Sequence, residues 1–235
     1  MKKNLKGNIL IFGGSGGLGY EVAKYFFNEG YNLLFTYNKS TPKVKEFKTE
    51  NRSNKFFHTK CDFLKEKSIK NAIKLTKKKI GDIDYIINCV GIFYYDDITN
   101  FNYKKISETF KINVFSLLTI NQCIFKLKRN KKISKIISIG SSSAVDGFQD
   151  TYSYCGSKHA LLGIIKSLNQ TIYKKKIFNY CLNVGSIKNK MGKKVRGNEF
   201  KNFIETNTVI KSLNFLLNLD LPALPDEIFI KRFRF

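Results

Sequence analysis

Short apolar runs alternate with stretches of helical spacing along most of this chain. Residues 8–12, 32–36, 55–61, 84–88, 133–139 and 177–184 are apolar runs of strand length. Between them, residues 20–28, 65–79, 103–128 and 152–173 carry apolar side chains at helical spacing. A helix over 209–219 and a last strand over 227–230 follow. Pro42 is read as opening a further, polar helix, and Gly30 as stopping the first one. Strands that alternate with helices predict βαβ units and a parallel sheet, because parallel neighbours need crossovers. The expected fold class is therefore α/β: a doubly wound, Rossmann-like parallel sheet in a three-layer α/β/α domain. Nothing repeats at a fixed period, so a solenoid is excluded.

With 235 residues, 43% of them hydrophobic, the chain is long enough to bury a sizeable core. No Pro/Gly/Ser-rich linker divides it, which predicts one domain over 1–235. The polar stretch 186–207 is the expected substrate lid.

The formal net charge of +24 is large. Lysine is scattered along the whole chain, with asparagine and isoleucine also plentiful, and no nucleic-acid motif accompanies the basic runs. Compositional bias is the favoured reading over specific nucleic-acid binding, although a positive field helps to attract phosphorylated ligands. Cys61, Cys89, Cys123, Cys155 and Cys181 stand far apart and are odd in number, which suits reduced core residues of a cytoplasmic protein. His58 and His159 are too few for a His-based metal centre, so no metal is expected. No apolar stretch is long enough to span a membrane.

Candidate chemistry begins in the glycine cluster after the first strand. Backbone without side chains admits a pyrophosphate, and the amides of the next helix meet its charge. Gly14, Gly16 and Gly19 satisfy Gly-x-Gly-x-x-Gly, while Gly13, Gly17 and Gly19 satisfy a wider Gly-x-x-x-Gly-x-Gly; Ser15 and Leu18 complete the loop. The second signal is Tyr154-Cys-Gly-Ser-Lys158. Four residues apart on a helix, the tyrosine and lysine share a face, and a nearby cation favours the phenolate. That makes Tyr154 a candidate proton donor or acceptor.

The wider glycine spacing with Tyr-x-x-x-Lys downstream resembles the short-chain dehydrogenase/reductase superfamily. The resemblance covers nearly all of the chain. Gly13, Gly17 and Gly19 look like the cofactor glycines, with Phe12 in place of the usual threonine. Asp62, with Phe63 beside it, resembles the adenine-contacting region after strand three. Asn88-Cys89-Val90-Gly91 is similar to an Asn-Asn-Ala-Gly segment, and Asn113 matches the family's helix asparagine. Ser141 stands thirteen residues before Tyr154, the family's serine spacing; Ser142 is the rival if the register shifts by one. The resemblance implies hydride transfer between a nicotinamide and a carbonyl or alcohol carbon. Tyr154 would supply the proton, Lys158 would assist it and bind the nicotinamide ribose, and Ser141 would polarise the carbonyl. Asn113 would hold a relay water. Two departures stand out. Val184-Gly185-Ser186-Ile187-Lys188-Asn189 replaces the usual Pro-Gly-hydrophobic-Thr segment, leaving Gly185 and Ile187 as the nicotinamide-side contacts. The chain also ends without the glycine-rich strand of many relatives, which bears on the homodimer or homotetramer the family implies.

No acid lies between Glu29 and Glu46, so none can hold a ribose diol. Tyr37 stands where the acid would, Asn38 follows it, and Lys39 and Ser40 could meet a 2′-phosphate. NADP(H) is expected rather than NAD(H). The leading substrate is a 3-oxoacyl thioester, with an acidic acyl carrier protein as its expected carrier. The alternative is a non-catalytic NADP-binding sensor or scaffold on the same fold.

Overall fold

A computed structural model describes residues 5–40, 42–47, 53–128, 132–195, 197–220 and 225–232. Its strands are β1 (Asn8–Phe12), β2 (Asn32–Tyr37), β3 (Phe56–Lys60), β4 (Tyr85–Asn88), β5 (Ser134–Ile139), β6 (Ile177–Val184) and β7 (Glu227–Ile230). The helices are α1 (Gly17–Asn28), α2 (Glu66–Ile80), α3 (Tyr103–Phe110), α4 (Ser116–Leu127), α5 (Tyr152–Ile172), α6 (Lys190–Val195) and α7 (Thr206–Asn218). The seven strands form one parallel sheet in the order β3-β2-β1-β4-β5-β6-β7. This is the doubly wound, Rossmann-like arrangement that alternating strand and helix patterns predict.

Both faces of the sheet are covered, which is why its strands read as continuous apolar runs. Successive side chains point to opposite faces. Leu10, Phe12, Leu34, Ile86 and Ile136 therefore pack against α2, α4 and α5, and Ile9, Ile11, Leu33, Phe35 and Ile137 against α1 and α7. The chain winds one way from β1 to β3, then crosses to β4 on the other side of β1. That reversal opens a crevice at the C-terminal ends of β1 and β4, the place where such sheets bind ligands.

Buried asparagines set α5 against β6. Asn169 accepts from the Asn179 amide (2.7 Å) and donates to its carbonyl (2.8 Å), while Asn179 exchanges hydrogen bonds with Asn121 of α4 at 2.9 and 3.0 Å. Each polar group is paired, so burial costs little. Lys135 in β5 is buried too, and burial pushes its pKa down. Its Nζ donates to the carbonyls of Leu216, Leu217 and Leu219 at 3.2, 2.9 and 2.6 Å, a cationic cap on the C-terminus of α7. Replacing it by methionine strands those carbonyls. We expect Lys135→Met to lower unfolding free energy by about 1–3 kcal/mol in urea denaturation.

Two elements differ from expectation. Residues 42–47 are not helical where Pro42 was read as opening a helix; the rest of that segment up to residue 52 lies outside the described residues. Phe47 is instead drawn into the core, stacked on Phe56 at 4.3 Å and edged by Phe27, Phe35 and Tyr20. The expected helix 103–128 is interrupted by a π-helical turn at Lys111–Phe115. Asn113 sits in that turn, and such turns recur at functional sites.

Candidate active site

The glycine loop follows β1 and is closed by contacts that exclude side chains. Gly13 has φ +83°, and its N–H donates to Thr36 Oγ1 of β2 at 3.1 Å. A Cβ on Gly14 would lie 2.4 Å from Phe35 Cβ, and one on Gly19 only 2.2 Å from the Gly13 carbonyl oxygen. Gly16 and Gly17 differ: nothing lies within 4 Å of a Cβ there. They face a cleft of about 400 Å³. No side chain caps the start of α1, and no acid stands in its first turn. Its free amides suit an anion. The cradle therefore fits the pyrophosphate of a dinucleotide.

The exit of β4 forms the next wall. Asn88 is buried and its Oδ1 accepts from Val90 N at 3.2 Å, shaping the turn that puts Cys89, Val90 and Gly91 on the cleft. Burial pushes the Cys89 thiol up to about 12, so it is a neutral wall residue. Asn113 clasps the same segment. Its Oδ1 accepts from Ile92 N (2.9 Å), and its Nδ2 donates to Ile92 O (3.1 Å) and Ser157 Oγ (3.0 Å). It thus joins the β4 exit to α5.

On α5, Tyr154 and Lys158 lie one turn apart, with Lys158 Nζ 5.6 Å from the tyrosine ring centroid. Lys158 is 4% exposed, and its Nζ donates to Ile139 O at 3.0 Å. A Cβ on Gly91 would lie 3.8 Å from that Nζ and 3.5 Å from Asn113 Oδ1, so the three residues converge. The Tyr154 ring meets Phe93 edge-on at 5.0 Å. Ser141 opens the turn after β5. Its Oγ accepts from Ser143 N at 3.1 Å, which occupies a lone pair and leaves the hydroxyl proton to be donated elsewhere. Ser141, Ser142, Ser143, Tyr154 and Lys158 all line the cleft, as do Gly16, Gly17, Leu18 and Gly19.

A family model described as short chain dehydrogenase matches residues 7–199. The chain belongs to the short-chain dehydrogenase family. Among curated relatives, secoisolariciresinol dehydrogenase of Forsythia intermedia is 28% identical over 226 residues, covering 94% of this chain and 78% of that protein. An uncharacterized oxidoreductase, YxjF, of Bacillus subtilis is 23% identical over 160 residues, 67% of this chain and 62% of that protein. A short-chain dehydrogenase/reductase from Serratia marcescens has a similar structure, with TM-score 0.86, 19% identity and 97% of each chain covered. At that identity the likeness is one of fold.

The other residues that the family resemblance singles out fall in three groups. Val90, Gly91, Gly185 and Ile187 line the cleft. Gly13, Ser15, Asn88 and Asn113 do not line it. Tyr37, Asn38, Lys39, Asp62 and Phe63 lie beyond it, at the ends of β2 and β3. Gly14 N donates to Thr36 O at 2.8 Å, so the end of β2 abuts the glycine loop and Asn38 and Lys39 project, exposed, just past it. Tyr37 packs on His58 at 5.8 Å. Asp62 Oδ1 accepts from Leu64 N at 3.0 Å; Phe63 turns into the core and meets Phe12 at 5.1 Å, leaving only its backbone for a ligand. Asn189 also lines the cleft, but its Oδ1 accepts from Gly192 N at 2.9 Å and is engaged in starting α6.

Two residues carry no sequence signal. Asp96, in the segment after β4, takes the Ser153 amide at 2.8 Å and the Ser153 hydroxyl at 2.6 Å, capping α5 one residue from Tyr154. Arg232, beyond β7, pairs with Glu199 and lies 5.4 Å from the ring of Phe203, a cleft residue. Neither contact could be foreseen, because each depends on segments far apart in the chain. The cleft also carries apolar and aromatic side chains: Phe93, Tyr95, Phe148, Ile187, Met191 and Phe203. Its described walls carry Lys158 and Lys190 but no carboxylate. No described helix is long and apolar enough to cross a membrane, and no described cluster of His, Cys, Asp and Glu suits a metal.

Proposed function

We propose that the chain is an NADP(H)-dependent oxidoreductase that reduces a carbonyl to an alcohol, or runs the reverse. The observation that carries this is one cleft joining the glycine cradle to Tyr154, Lys158 and Ser141. A bound nicotinamide supplies the hydride; the protein supplies position and a proton. Ser141 donates its hydroxyl proton to the carbonyl oxygen and polarises it. Tyr154 delivers the proton that converts the nascent alkoxide to the alcohol. Lys158 favours the phenolate left behind and hydrogen-bonds the nicotinamide ribose, and Asn113 keeps the β4 exit and α5 in register around it. The test is oxidation of NADPH by the purified protein across acyl thioesters, sugars and small ketones. No turnover of any of them, with NADPH tightly bound, would favour the sensor or scaffold reading instead. That reading draws on the altered segment Val184–Asn189, where the Asn189 side chain caps α6.

A 3-oxoacyl thioester remains the leading substrate. The apolar wall suits an acyl chain, and the cationic surface suits coenzyme A or an acidic carrier protein. The five unpaired cysteines suit the reducing cytoplasm. A homodimer or homotetramer is the expected assembly.

Lys39 at the end of β2, with no acid between Glu29 and Glu46, supports NADP(H) over NAD(H). Lys39→Glu should raise the KM for NADPH by about tenfold, the loss of one favourable phosphate contact, and leave that for NADH little changed. An equal or lower KM for NADH in the native protein would sink the assignment.

A further inference from the structure

We infer that Asn183 is a positioning residue for Ser141, and that Glu227 sets the orientation in which it acts. This rests on the reading of Ser141 as the group that polarises the carbonyl. Asn183 is wholly buried in β6. An amide there must be paired, because strands disfavour asparagine and burial penalises an unsatisfied one. Its Oδ1 accepts from the Ser141 amide and from Cys181 Sγ, both at 3.2 Å. Its Nδ2 donates to Glu227 Oε2 at 3.0 Å, and the other Glu227 oxygen accepts from Lys166 Nζ at 3.0 Å.

The geometry around Gly140 shows how closely the asparagine runs under the serine turn. A Cβ at Gly140 would lie 2.0 Å from Asn183 Oδ1 and 2.7 Å from Cys181 Sγ. The last ladder bond of β5 is Gly140 N to Leu182 O at 2.8 Å. Asn183 therefore holds the first residue beyond the ladder, from which the Ser141 hydroxyl projects into the cleft.

An asparagine amide presents an oxygen on one side and donors on the other, and the two can exchange by a flip. Only the oxygen can receive the Ser141 N–H. The Glu227 carboxylate accepts but cannot donate, so it draws Nδ2 to itself and turns Oδ1 towards Ser141. Lys166 pairs with the same carboxylate and fixes it. The chain Lys166–Glu227–Asn183–Ser141 thus links the exposed face of α5 and β7 to the catalytic turn.

The test reverses the polarity of one link. Asn183→Asp keeps an acceptor for Ser141 but sets a carboxylate against Glu227. NADPH-dependent reduction of phenanthrenequinone, a reactive diketone, should lose about 10- to 100-fold in kcat, the scale of a small misplacement at a reacting centre, with the Kd for NADPH unchanged. Adding Glu227→Gln supplies a donor to the new carboxylate and an acceptor for Lys166, and should restore kcat to within about threefold of the native value, because coupled neighbours compensate. Crystal structures should show the Ser141 turn displaced in the single variant and returned in the double, a readout independent of turnover. An unmoved Ser141 turn, an unaffected single variant, or a double variant that regains thermal stability but neither kcat nor turn position overturns the inference. Ser141→Ala separates the two claims. If it loses activity while Asn183→Asp does not, the positioning fails and the catalytic reading stands. If it retains full activity, the role of Ser141 fails and the inference falls with it.

Discussion

Tyr154→Phe is expected to lower NADPH-dependent turnover by about 10³-fold, within the range that a positioned general acid contributes. The substitution removes one oxygen and keeps the ring. That ring packs edge-on against Phe93 at 5.0 Å, and the contact survives the change. The Asp96 bonds to Ser153 and the Asn113 bond to Ser157 hold the helix on either side of Tyr154 without using its hydroxyl. The melting temperature should therefore stay within a degree or so, and the Kd for NADPH within about twofold, since little binding energy depends on the phenol. Ser141→Ala should fall less far, by about 10²-fold, because it removes one polarising donor and leaves the proton source. Stopped-flow NADPH oxidation and fluorescence titration measure the two quantities separately. A Tyr154→Phe protein that kept a tenth of native turnover would show that the proton comes from elsewhere.

Much of this was legible from residue order. The unbroken apolar run of β1 and the period of 3.6 in α1 and α5 mark those elements because both faces of the sheet are buried and each helix buries one side. The glycine loop was legible as well, since a close approach of Gly19 to Gly13 leaves its trace as missing side chains. What stayed hidden has a common cause. Asp96 looks like a loop carboxylate until the fold brings it to the start of α5. Asn183 looks like one more asparagine in an asparagine-rich chain until β6 places it under the Ser141 turn and β7 places Glu227 beside it. The π-turn at Lys111–Phe115 has ordinary helical composition, and its local widening depends on what Asn113 must reach. Phe47 shows the opposite error. Local polarity suggested a helix, and one aromatic side chain with a place in the core overrode it.

The high lysine content reads differently once the fold is known. Most of the lysines are surface residues, and surface ion pairs such as Lys6–Glu29 or Lys188–Glu205 contribute little each. Among the described residues, Lys158 and Lys135 are the exceptions. Each is buried, and each gives its ammonium to main-chain carbonyls, one at the cleft and one at the end of α7. Lys77 and Lys128 also reach main-chain carbonyls, so it is burial, not abundance or partner, that separates these two from the other described lysines.

Gly19→Ala is expected to damage the cofactor cradle more than any other single methyl added to the loop. The new Cβ would lie 2.2 Å from the Gly13 carbonyl oxygen, 2.9 Å from its carbon and 3.3 Å from Cys89 Cβ. The carbonyl cannot retreat. Gly13 is held by Thr36 and has Val90 against it, and Gly14 lies against Phe35. Either α1 must move out or the loop must open, and both spread the amides that would meet the pyrophosphate. We expect a loss of about 1–3 kcal/mol in stability, the usual cost of overpacking. The Kd for NADPH should rise at least about tenfold beyond any effect on folding. Gly16→Ala is the control for stability: its φ of −172° is extended backbone that any residue adopts, and the space around it is open. It should fold within about 0.5 kcal/mol of the native protein. Gly17→Ala should fall between them, since its φ of +55° is left-handed and costs an alanine about 1–2 kcal/mol. Urea denaturation of the three variants gives the order in stability, and NADPH titration of Gly19→Ala gives the loss in binding. If Gly19→Ala bound NADPH as the native protein does, the loop would not be the site of the pyrophosphate, and the cleft's chemistry would need another anchor.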